Sequence, residues 1–259
     1  MTKTLVWFYY TIKRKVKPRQ YGNNNMSSFK RFLNFILELF YPKFCLGCGK
    51  EGTWICSDCF EKIKALDSFY CPVCRKRLPN GEICKTCSGK TKLSKFFAAA
   101  RYESPLIKKA VHKLKYNFIK DLAPPLSSLI INFLKNFNFD SDFLIIPVPL
   151  HKSREHWRGF NQANELAKEI SKSLRVPLDS NELTKIKNVP PQVEVKDYQK
   201  RKENIQGAFR VKRPELLRNK RVILIDDVYT SGSTMEECAK VLKRAGVKEI
   251  WGVAAIAKF

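Results

Sequence analysis

Long apolar runs and acidic residues are both scarce in this sequence of 259 residues. The nearest approach to a membrane-spanning segment, residues 126–134, contains Asn132 and is far shorter than the ~18 apolar residues that a span needs. The sequence therefore predicts no membrane span. A disordered chain is also excluded, because 44% of the residues are hydrophobic and 12% are aromatic.

The shortage of acids leaves a large positive charge. Asp and Glu number 24 against 49 Lys and Arg, which gives a formal net charge of +25. This excess predicts anionic partners: phosphorylated small molecules, nucleic acid or a membrane surface. Charge alone does not choose among them, and a lysine-rich solvated surface explains the excess equally well.

The first 25 residues have the composition of an appendage. They contain six basic and no acidic residues, and their apolar stretch precedes most of that charge, which is the reverse of a signal peptide. A linker-like GNNN sequence at 22–25 leads to Met26. We expect residues 1–25 to be a mis-annotated or disordered extension, with true initiation at Met26; a functional basic arm is the alternative. A helix is predicted over 28–43, with Pro42 at its end.

Eight of the nine cysteines form four C-x-x-C pairs, a spacing typical of metal sites rather than of secreted disulfide scaffolds. Two residues between thiolates let both reach one ion, and four thiolates close a tetrahedral structural zinc site. We predict two zinc ions in a double zinc ribbon over 44–92; an iron–sulfur cluster is the alternative. The predicted ligands are Cys45, Cys48, Cys56, Cys59, Cys71, Cys74, Cys84 and Cys87.

The four pairs could close in two ways. Sequential sites join the first pair with the second and the third with the fourth, whereas an interleaved cross-brace joins the first with the third. The short spacers of seven and nine residues favour sequential closure, because small loops close at low entropic cost. Zinc would supply most of the folding energy here, so we expect chelation to unfold this module and leave the rest folded. Metal-binding thiols imply a reducing compartment, and we expect a cytoplasmic protein.

The remainder of the chain alternates strand-like and helical segments. This order predicts an α/β domain with a parallel central sheet over 95–259, with residues 180–220 irregular. The predicted strands are 96–102, 143–148, 221–225 and 249–256, and the predicted helices begin at Pro105 or span 161–174 and 233–245.

The sharpest motif follows the strand at 221–225, where two acids precede a loop of small hydroxyl residues and a helix. Gly232 lets the backbone approach a ligand closely, and free N–H groups at a helix start suit a phosphate. Two acids beside a phosphate would be repulsive unless they hold sugar hydroxyls or a divalent cation. The motif predicts a phosphorylated sugar as ligand; an ordinary turn capped by Ser233 is the alternative. Its residues are Asp226, Asp227, Thr230, Ser231, Gly232, Ser233 and Thr234.

This motif resembles the phosphoribosyl pyrophosphate (PRPP) motif of type I phosphoribosyltransferases. Together with the cysteine pairs, further segments resemble the ComF family of competence-associated proteins: 146–151, 158–162, 191–192 and 201–209. The resemblance covers residues 28–259. It implies a double zinc ribbon followed by a type I phosphoribosyltransferase fold.

The resemblance also implies roles at matching positions. Asp226 and Asp227 would hold the ribose 2- and 3-hydroxyls, and residues 230–234 would hold the 5-phosphate. Residues 149–152 resemble the pyrophosphate loop. The cations placed near the diphosphate are His151, Arg154 and Arg158, although a solvated surface charge is the alternative for each arginine. Magnesium would accompany PRPP, and Arg201 and Asn204 would shape a mobile hood.

Two positions depart from the family pattern. Val189 stands where threonine is frequent, which puts a polar contact in doubt. Thr230 stands where purine-salvage members carry an aspartate base, so that acceptor chemistry is not supported. Three functions stay open: a phosphoribosyltransferase with an unidentified acceptor, a single-stranded-DNA-binding factor in DNA uptake with competence or DNA-processing partners, and a non-catalytic PRPP sensor.

Aromatic residues interleaved with basic ones predict a surface for single-stranded DNA, separate from the PRPP site. The alternative is that these aromatics are core and the cations are solvated. We expect charge reversal at Arg75, Lys76 and Arg77 to weaken DNA binding and to leave PRPP binding intact. The residues of this surface are Phe69, Tyr70, Arg75, Lys76, Arg77, Phe96, Phe97, Arg101 and Tyr102.

Overall fold

The computed structural model describes residues 42–79, 81–189 and 203–258. The predicted extension over 1–25, the predicted helix over 28–43 apart from its last two residues, and Arg201 lie outside these ranges. Within them, no helix is both long and apolar enough to cross a membrane.

Eight strands form two sheets in the described residues. They are β1 (Phe69–Tyr70), β2 (Arg77–Leu78), β3 (Lys95–Arg101), β4 (Phe143–Pro147), β5 (Leu183–Lys185), β6 (Phe209–Val211), β7 (Arg221–Tyr229) and β8 (Glu249–Ala257). The α-helices are α1 (Ser57–Glu61), α2 (Pro105–Tyr116), α3 (Ala123–Leu134), α4 (Lys152–Arg158), α5 (Gln162–Leu174) and α6 (Ser233–Arg244). Short 3₁₀ helices span Lys85–Cys87, Lys120–Leu122 and Pro214–Leu216.

The large sheet has the strand order β2-β1-β3-β8-β7-β4. Its four strands β3, β8, β7 and β4 are parallel, which confirms the predicted α/β architecture. Pro147 of β4 pairs with Ile225 of β7, so the carboxyl ends of these two strands lie side by side. Ligands of open α/β sheets bind beyond this edge, where helices begin and backbone N–H groups are free.

Side chains alternate along each strand, so apolar residues point to both faces of the sheet. Both faces are covered by helices. On β7, Ile223 and Ile225 join one apolar cluster, whereas Val222 and Leu224 join the cluster on the opposite face. Helices α3 and α5 cover the first face, and α6 covers the second through Met235 and its apolar stripe. Burial on both faces is typical of parallel strands and holds the carboxyl edge rigid.

The second cysteine region is continuous with this sheet. Strand β1 pairs antiparallel with β2, and Phe69 of β1 pairs with Phe97 of β3. The Phe69 ring packs edge-on against Phe133 at 5.1 Å and against Trp251 at 5.6 Å between centroids. The antiparallel hairpin therefore extends the parallel sheet and shares its core.

Three expectations from the sequence are wrong in detail. Residues 180–220 are not wholly irregular, because β5 and β6 pair as an antiparallel hairpin. Strand β7 does not end at Ile225 but continues to Tyr229, since its backbone keeps pairing with β8 past the two acids. The third concerns the predicted DNA surface: four of its aromatic residues are buried and offer no stacking face, namely Phe69, Tyr70, Phe96 and Phe97.

Candidate functional site

The cysteines gather into two tetrads in sequential order, which confirms sequential closure over the cross-brace. Within each tetrad the ligand atoms all lie within 4.8 Å of one another. The first tetrad is Cys45, Cys48, Cys56 and Cys59, and the second is Cys71, Cys74, Cys84 and Cys87.

The sulfur geometry fits one zinc ion in each tetrad. The Sγ atoms of Cys48 and Cys56 are 3.6 Å apart, and those of Cys74 and Cys84 are 3.4 Å apart. A zinc–sulfur bond of about 2.3 Å gives a tetrahedral edge of about 3.8 Å, whereas a disulfide bond is only about 2.05 Å long. Gly47 makes room for this packing, because a Cβ there would lie 2.7 Å from the Cys59 sulfur. The closed four-thiolate sets support structural zinc.

A separate, charged cavity of about 170 Å³ lies beyond the carboxyl ends of β4 and β7. Four cationic side chains face two carboxyl groups in it, so the cavity favours an anionic ligand. The sequence predicts eight of the lining residues: Pro149, Leu150, Arg154, Arg158, Asp226, Asp227, Thr230 and Thr234. The two further cations are Lys115 and Lys185.

Asp226 and Asp227 lie in the second half of strand β7. Asp227 is buried, and its Oδ1 atom lies 3.0 Å from Nζ of Lys115 on α2. The backbone N–H of Asp227 donates to Oδ1 of Asp226 over 2.8 Å. Burial, and then the neighbouring Asp227 carboxylate, raise the pKa of Asp226 to about 8. A hydroxyl donor or a cation at this pair would favour the ionised form of Asp226, because it would offset the repulsion from the Asp227 carboxylate.

Three buried polar atoms around the cavity have no hydrogen-bond partner in the described part of the chain. They are Nε of Arg158, Nε2 of Gln162 and Oδ2 of Asp227. Unsatisfied buried polar atoms are rare and costly, so their convergence on one cavity indicates a ligand. Two of them are donors and one is an acceptor. The ligand should therefore bring anionic oxygens together with either hydroxyl groups or a metal ion.

Helix α4 and strand β5 carry three of the four cations of the cavity. An amino group of Arg154 donates to the carbonyl of Val189 over 2.8 Å, a contact that needs no threonine side chain. Arg158 donates to the side chain of Gln162 over 2.8 Å, and burial lowers its pKa, so it is not a freely solvated charge. Burial, and then Arg154, lower the pKa of Lys185. These cations are partly desolvated before any ligand arrives.

His151 does not line this cavity. Its Nδ1 atom caps α4 by contacting the Ser153 backbone N–H at 3.3 Å and the Ser153 hydroxyl at 2.8 Å. Asn161 supports the same loop, because its side chain donates to the Val148 carbonyl over 2.9 Å and accepts from the Ala163 N–H over 3.1 Å. His151 and Asn161 therefore shape the loop after β4. Asn204, predicted for the hood, is exposed.

The hydroxyl loop connects β7 to α6 and divides its residues between two cavities. Gly232 has a φ of 75°, and a Cβ there would lie 2.2 Å from the Tyr229 hydroxyl, so only glycine fits this turn. The hydroxyls of Ser231 and Ser233 lie 3.0 Å apart. Thr230 and Thr234 line the charged cavity, whereas residues 231–233 line a neighbouring cavity of about 430 Å³.

The donors present fit a magnesium ion bound together with a phosphorylated ligand. Magnesium takes one or two carboxylates and completes its shell with phosphate oxygens and water. Asp226 and the unpartnered Oδ2 of Asp227 supply such carboxylates.

The sequence missed several side chains of the cavity. Lys115 belongs to a helix rich in surface lysines, so nothing in its local pattern marked it. Lys185 lies on a hairpin strand inside the stretch expected to be irregular. Gln162 falls within a segment carried by the resemblance, and that segment was the one available signal.

Family models match both halves of the chain. A model described as "Double zinc ribbon domain" matches residues 36–88, and one described as "Phosphoribosyl transferase domain" matches residues 158–258. Among solved structures, the glutamine PRPP amidotransferase of B. subtilis aligns at a TM-score of 0.38 and 14% identity, over 56% of this chain and 30% of that one. A purine phosphoribosyltransferase from Pyrococcus horikoshii aligns at a TM-score of 0.29 and 15% identity, over 59% and 81%.

Curated relatives match the chain across both regions. Competence protein F of Haemophilus influenzae is 31% identical over 229 residues, which cover 81% of this chain and 96% of that protein. DNA utilization protein YhgH of Escherichia coli is 30% identical over 223 residues, with the same coverages of 81% and 96%. Competence protein ComFC of Bacillus subtilis is 23% identical over 206 residues, covering 76% and 81%. With a ribbon and a phosphoribosyltransferase-type domain matched along nearly the full length of Competence protein F, this chain belongs to the ComF family of competence-associated proteins.

Proposed function

We propose that the charged cavity binds PRPP with magnesium and that the protein transfers the phosphoribosyl group to an acceptor. The observation that carries this proposal is the convergence of three unpartnered atoms on a cavity with four cations. PRPP supplies what each needs: diphosphate oxygens for Arg158 and Gln162, and a ribose hydroxyl or magnesium for Asp227. The phosphoribosyltransferase-type family match over 158–258 supports the same ligand.

The side chains would divide the ligand between them. Arg154, Arg158 and Lys185 face the diphosphate, because guanidinium and ammonium groups stabilise its charge. Asp226 and Asp227 accept from the ribose 2- and 3-hydroxyls. Residues 230–234 hold the 5-phosphate with backbone N–H groups at the start of α6, where the helix dipole favours an anion. The ligand would therefore extend from the charged cavity into the neighbouring one that residues 231–233 line.

The reaction would be a displacement at the anomeric carbon. The bond from this carbon to the pyrophosphate oxygen breaks, and the leaving pyrophosphate keeps the electron pair. A lone pair of the acceptor forms the new bond, and the acceptor gives up its proton to water. Arg154 and Arg158 stabilise the charge that develops on pyrophosphate, and the acids orient the ribose. Magnesium, when bound, would neutralise further diphosphate charge.

Calorimetric titration with PRPP and magnesium tests the binding step. Asp227→Asn should lower the affinity at least tenfold, because a hydrogen bond from a ligand hydroxyl to a charged acceptor contributes about 1.5–3 kcal/mol. Asp142→Asn is the matched control. Asp142 is exposed, lies just before the first residue of β4 and does not line the cavity. Equal affinities of the parent and Asp227→Asn would contradict the site. Release of pyrophosphate in the presence of candidate acceptors tests the transfer step.

Single-stranded DNA is the second candidate ligand. A groove of about 530 Å³ adjoins the charged cavity and shares Lys115, Tyr116, Val228 and Thr230 with it. In this groove the Lys108 ammonium lies 5.0 Å from the centre of the Tyr102 ring, and the His112 and Tyr116 rings lie 4.7 Å apart. Accessible rings beside cations suit single strands. Relatives named for competence and DNA utilization support a role in DNA uptake, alongside competence or DNA-processing proteins.

Fluorescence anisotropy with a labelled oligonucleotide tests this groove. Lys109→Glu/Lys113→Glu should weaken binding, and the parent's affinity should fall steeply with salt, because each neutralised phosphate releases counterions. Lys64→Glu/Lys172→Glu is the control for the same change of net charge, because both lysines are exposed and neither lines the groove. An oligonucleotide that fails to bind at low salt would remove this candidate.

The thiols of both tetrads need a reducing compartment, so we propose that the protein acts in the cytoplasm.

A further inference from the structure

The second zinc knuckle touches the hydroxyl loop directly. The guanidinium of Arg75, the residue after Cys74, donates to the carbonyl of Thr230 over 3.2 Å and to the carbonyl of Lys258 over 2.9 Å. The Tyr229 hydroxyl donates to the carbonyl of Pro72, inside the knuckle, over 2.9 Å. Three hydrogen bonds thus join residues between 155 and 183 positions apart. Two of them lie where β7 passes into the loop, and the third lies just after β8.

The residue after the second cysteine differs between the two knuckles. Gly49 follows the second cysteine of the first knuckle with a φ of 80°, and Arg75 takes the equivalent place with a φ of 66°. Both residues make the same turn bond, from the Gly49 N–H to Cys45 at 2.9 Å and from the Arg75 N–H to Cys71 at 2.8 Å. A left-handed backbone favours glycine. The strain of an arginine here points to a function for its side chain.

The loop is packed onto the same support. The Tyr229 ring, fixed at its hydroxyl by Pro72, fills the space where a side chain at position 232 would lie. The chain that leaves the second ribbon holds the next turn: the Thr91 hydroxyl donates to Glu236 over 2.6 Å, and the Lys92 N–H donates to it over 2.9 Å. Both the loop and the first turn of α6 therefore rest on the cysteine-rich region.

We propose that the second zinc knuckle positions the phosphate loop, with Arg75 as the positioning residue. The proposal rests on the proposed function, because the loop matters for ligand binding only if it holds the 5-phosphate. The guanidinium fork fixes the carbonyl of Thr230 and so aims the N–H groups that follow it. A loop ordered in advance loses less conformational entropy when the phosphate binds. Zinc in the second tetrad holds the knuckle, and the knuckle holds the loop.

Arg75→Gly tests this role without damaging the fold, because glycine is the residue that the first knuckle uses. We expect the variant to keep two zinc ions per chain and an unchanged thermal midpoint. Its PRPP affinity should fall about tenfold, the effect of losing one charge-assisted hydrogen bond. This expectation replaces the one drawn from the sequence alone, that a change at Arg75 leaves PRPP binding intact. Arg77→Ala is the matched control. This substitution removes the same charge two residues away, and the Arg77 side chain donates to Asp67 and Ser68 rather than to the loop. Equal losses in the two variants would show a charge effect and overturn the proposal.

Hydrogen exchange separates this inference from the proposed function. In the ligand-free protein, the amides of residues 230–234 should exchange about tenfold faster in Arg75→Gly than in the parent and in Arg77→Ala. If the parent protein binds no PRPP, the proposed function is refuted. The exchange rates would still show whether Arg75 orders the loop. Unchanged exchange in Arg75→Gly would overturn the positioning role whatever the PRPP titration shows.

Discussion

The two zinc ribbons have the same ligands and the same turn geometry, yet they are attached to the rest of the molecule in different ways. The first ribbon packs against α2 and the 3₁₀ helix that follows it: a Cβ at Gly47 would lie 3.7 Å from Leu106 of α2, and Lys43 pairs with Asp121 of the 3₁₀ helix at 3.1 Å. The second ribbon pairs its backbone with β3 and donates hydrogen bonds to the loop after β7. Two zinc sites with the same ligand set can therefore be joined to the rest of a protein in different ways, and the ligands alone do not tell which.

The largest effect should come from removing one tetrad at a time. Cys71→Ser/Cys74→Ser should lower the zinc content from two ions to one and abolish measurable PRPP binding, because a structural zinc site contributes on the order of 10 kcal/mol to local folding. Cys45→Ser/Cys48→Ser should lose one ion as well but keep PRPP binding within about threefold. Elemental analysis and calorimetry measure both quantities.

This outcome would also revise the expectation that chelation leaves the larger domain folded. Strand β1 and Phe69 are part of the core that covers β3 and β8, so loss of the second ion should loosen that sheet edge. Near-ultraviolet circular dichroism on chelation would show it. Identical behaviour of the two tetrad variants would break the comparison between the ribbons.

An effect of intermediate size is expected for the pH dependence of PRPP affinity. This measurement distinguishes the contribution of the loop from that of the acid pair. Burial and Asp227 raise the pKa of Asp226 to about 8, so Asp226 is protonated near pH 7 and cannot fully accept a ribose hydroxyl or bind magnesium. PRPP affinity should rise with pH up to about 8 and then level off. Arg75→Gly should lower the whole curve and keep its midpoint, because burial and the neighbouring Asp227 are the main causes of that raised pKa. A shifted midpoint would mean that the knuckle acts on the acids.

The same raised pKa has a consequence for stability. A carboxyl group whose pKa is higher in the folded state binds more protons there, so the free energy of unfolding decreases as pH rises from about 4 towards 8. Asp226→Asn should remove this decrease and stabilise the ligand-free protein by about 1 kcal/mol at pH 8, while it abolishes PRPP binding. Denaturant unfolding at pH 6 and pH 8 provides the measurement.

The smallest effect should come from the reverse exchange, Gly49→Arg. A Cβ at Gly49 would meet no atom within 4 Å, so the cost is only that of a left-handed backbone, about 1 kcal/mol. PRPP affinity should not change, because the first knuckle touches no part of the loop after β7. A change in affinity would show that arginine acts through charge at either knuckle.

Much of this protein was determined by sequence patterns that are local. The C-x-x-C pairs with their short spacers fix two sequential tetrads, because loop closure disfavours the cross-brace. The run from Asp226 to Thr234 identifies its own setting, since two acids, a glycine and a helix start occupy consecutive positions on the chain. Alternating apolar segments likewise predict the four parallel strands.

Only the tertiary structure decided which distant groups complete these motifs. Lys115 reaches Asp227 from α2, and Arg75 reaches Thr230 across the chain, although neither residue differs locally from the many other cations of this basic sequence. From the sequence, the aromatic residues around β1 and β3 could either stack on DNA or fill the core. The pairing of Phe69 with Phe97 in the sheet buries them in the core. Local patterns report chemistry between chain neighbours, whereas these contacts depend on how the sheet brings its edges together.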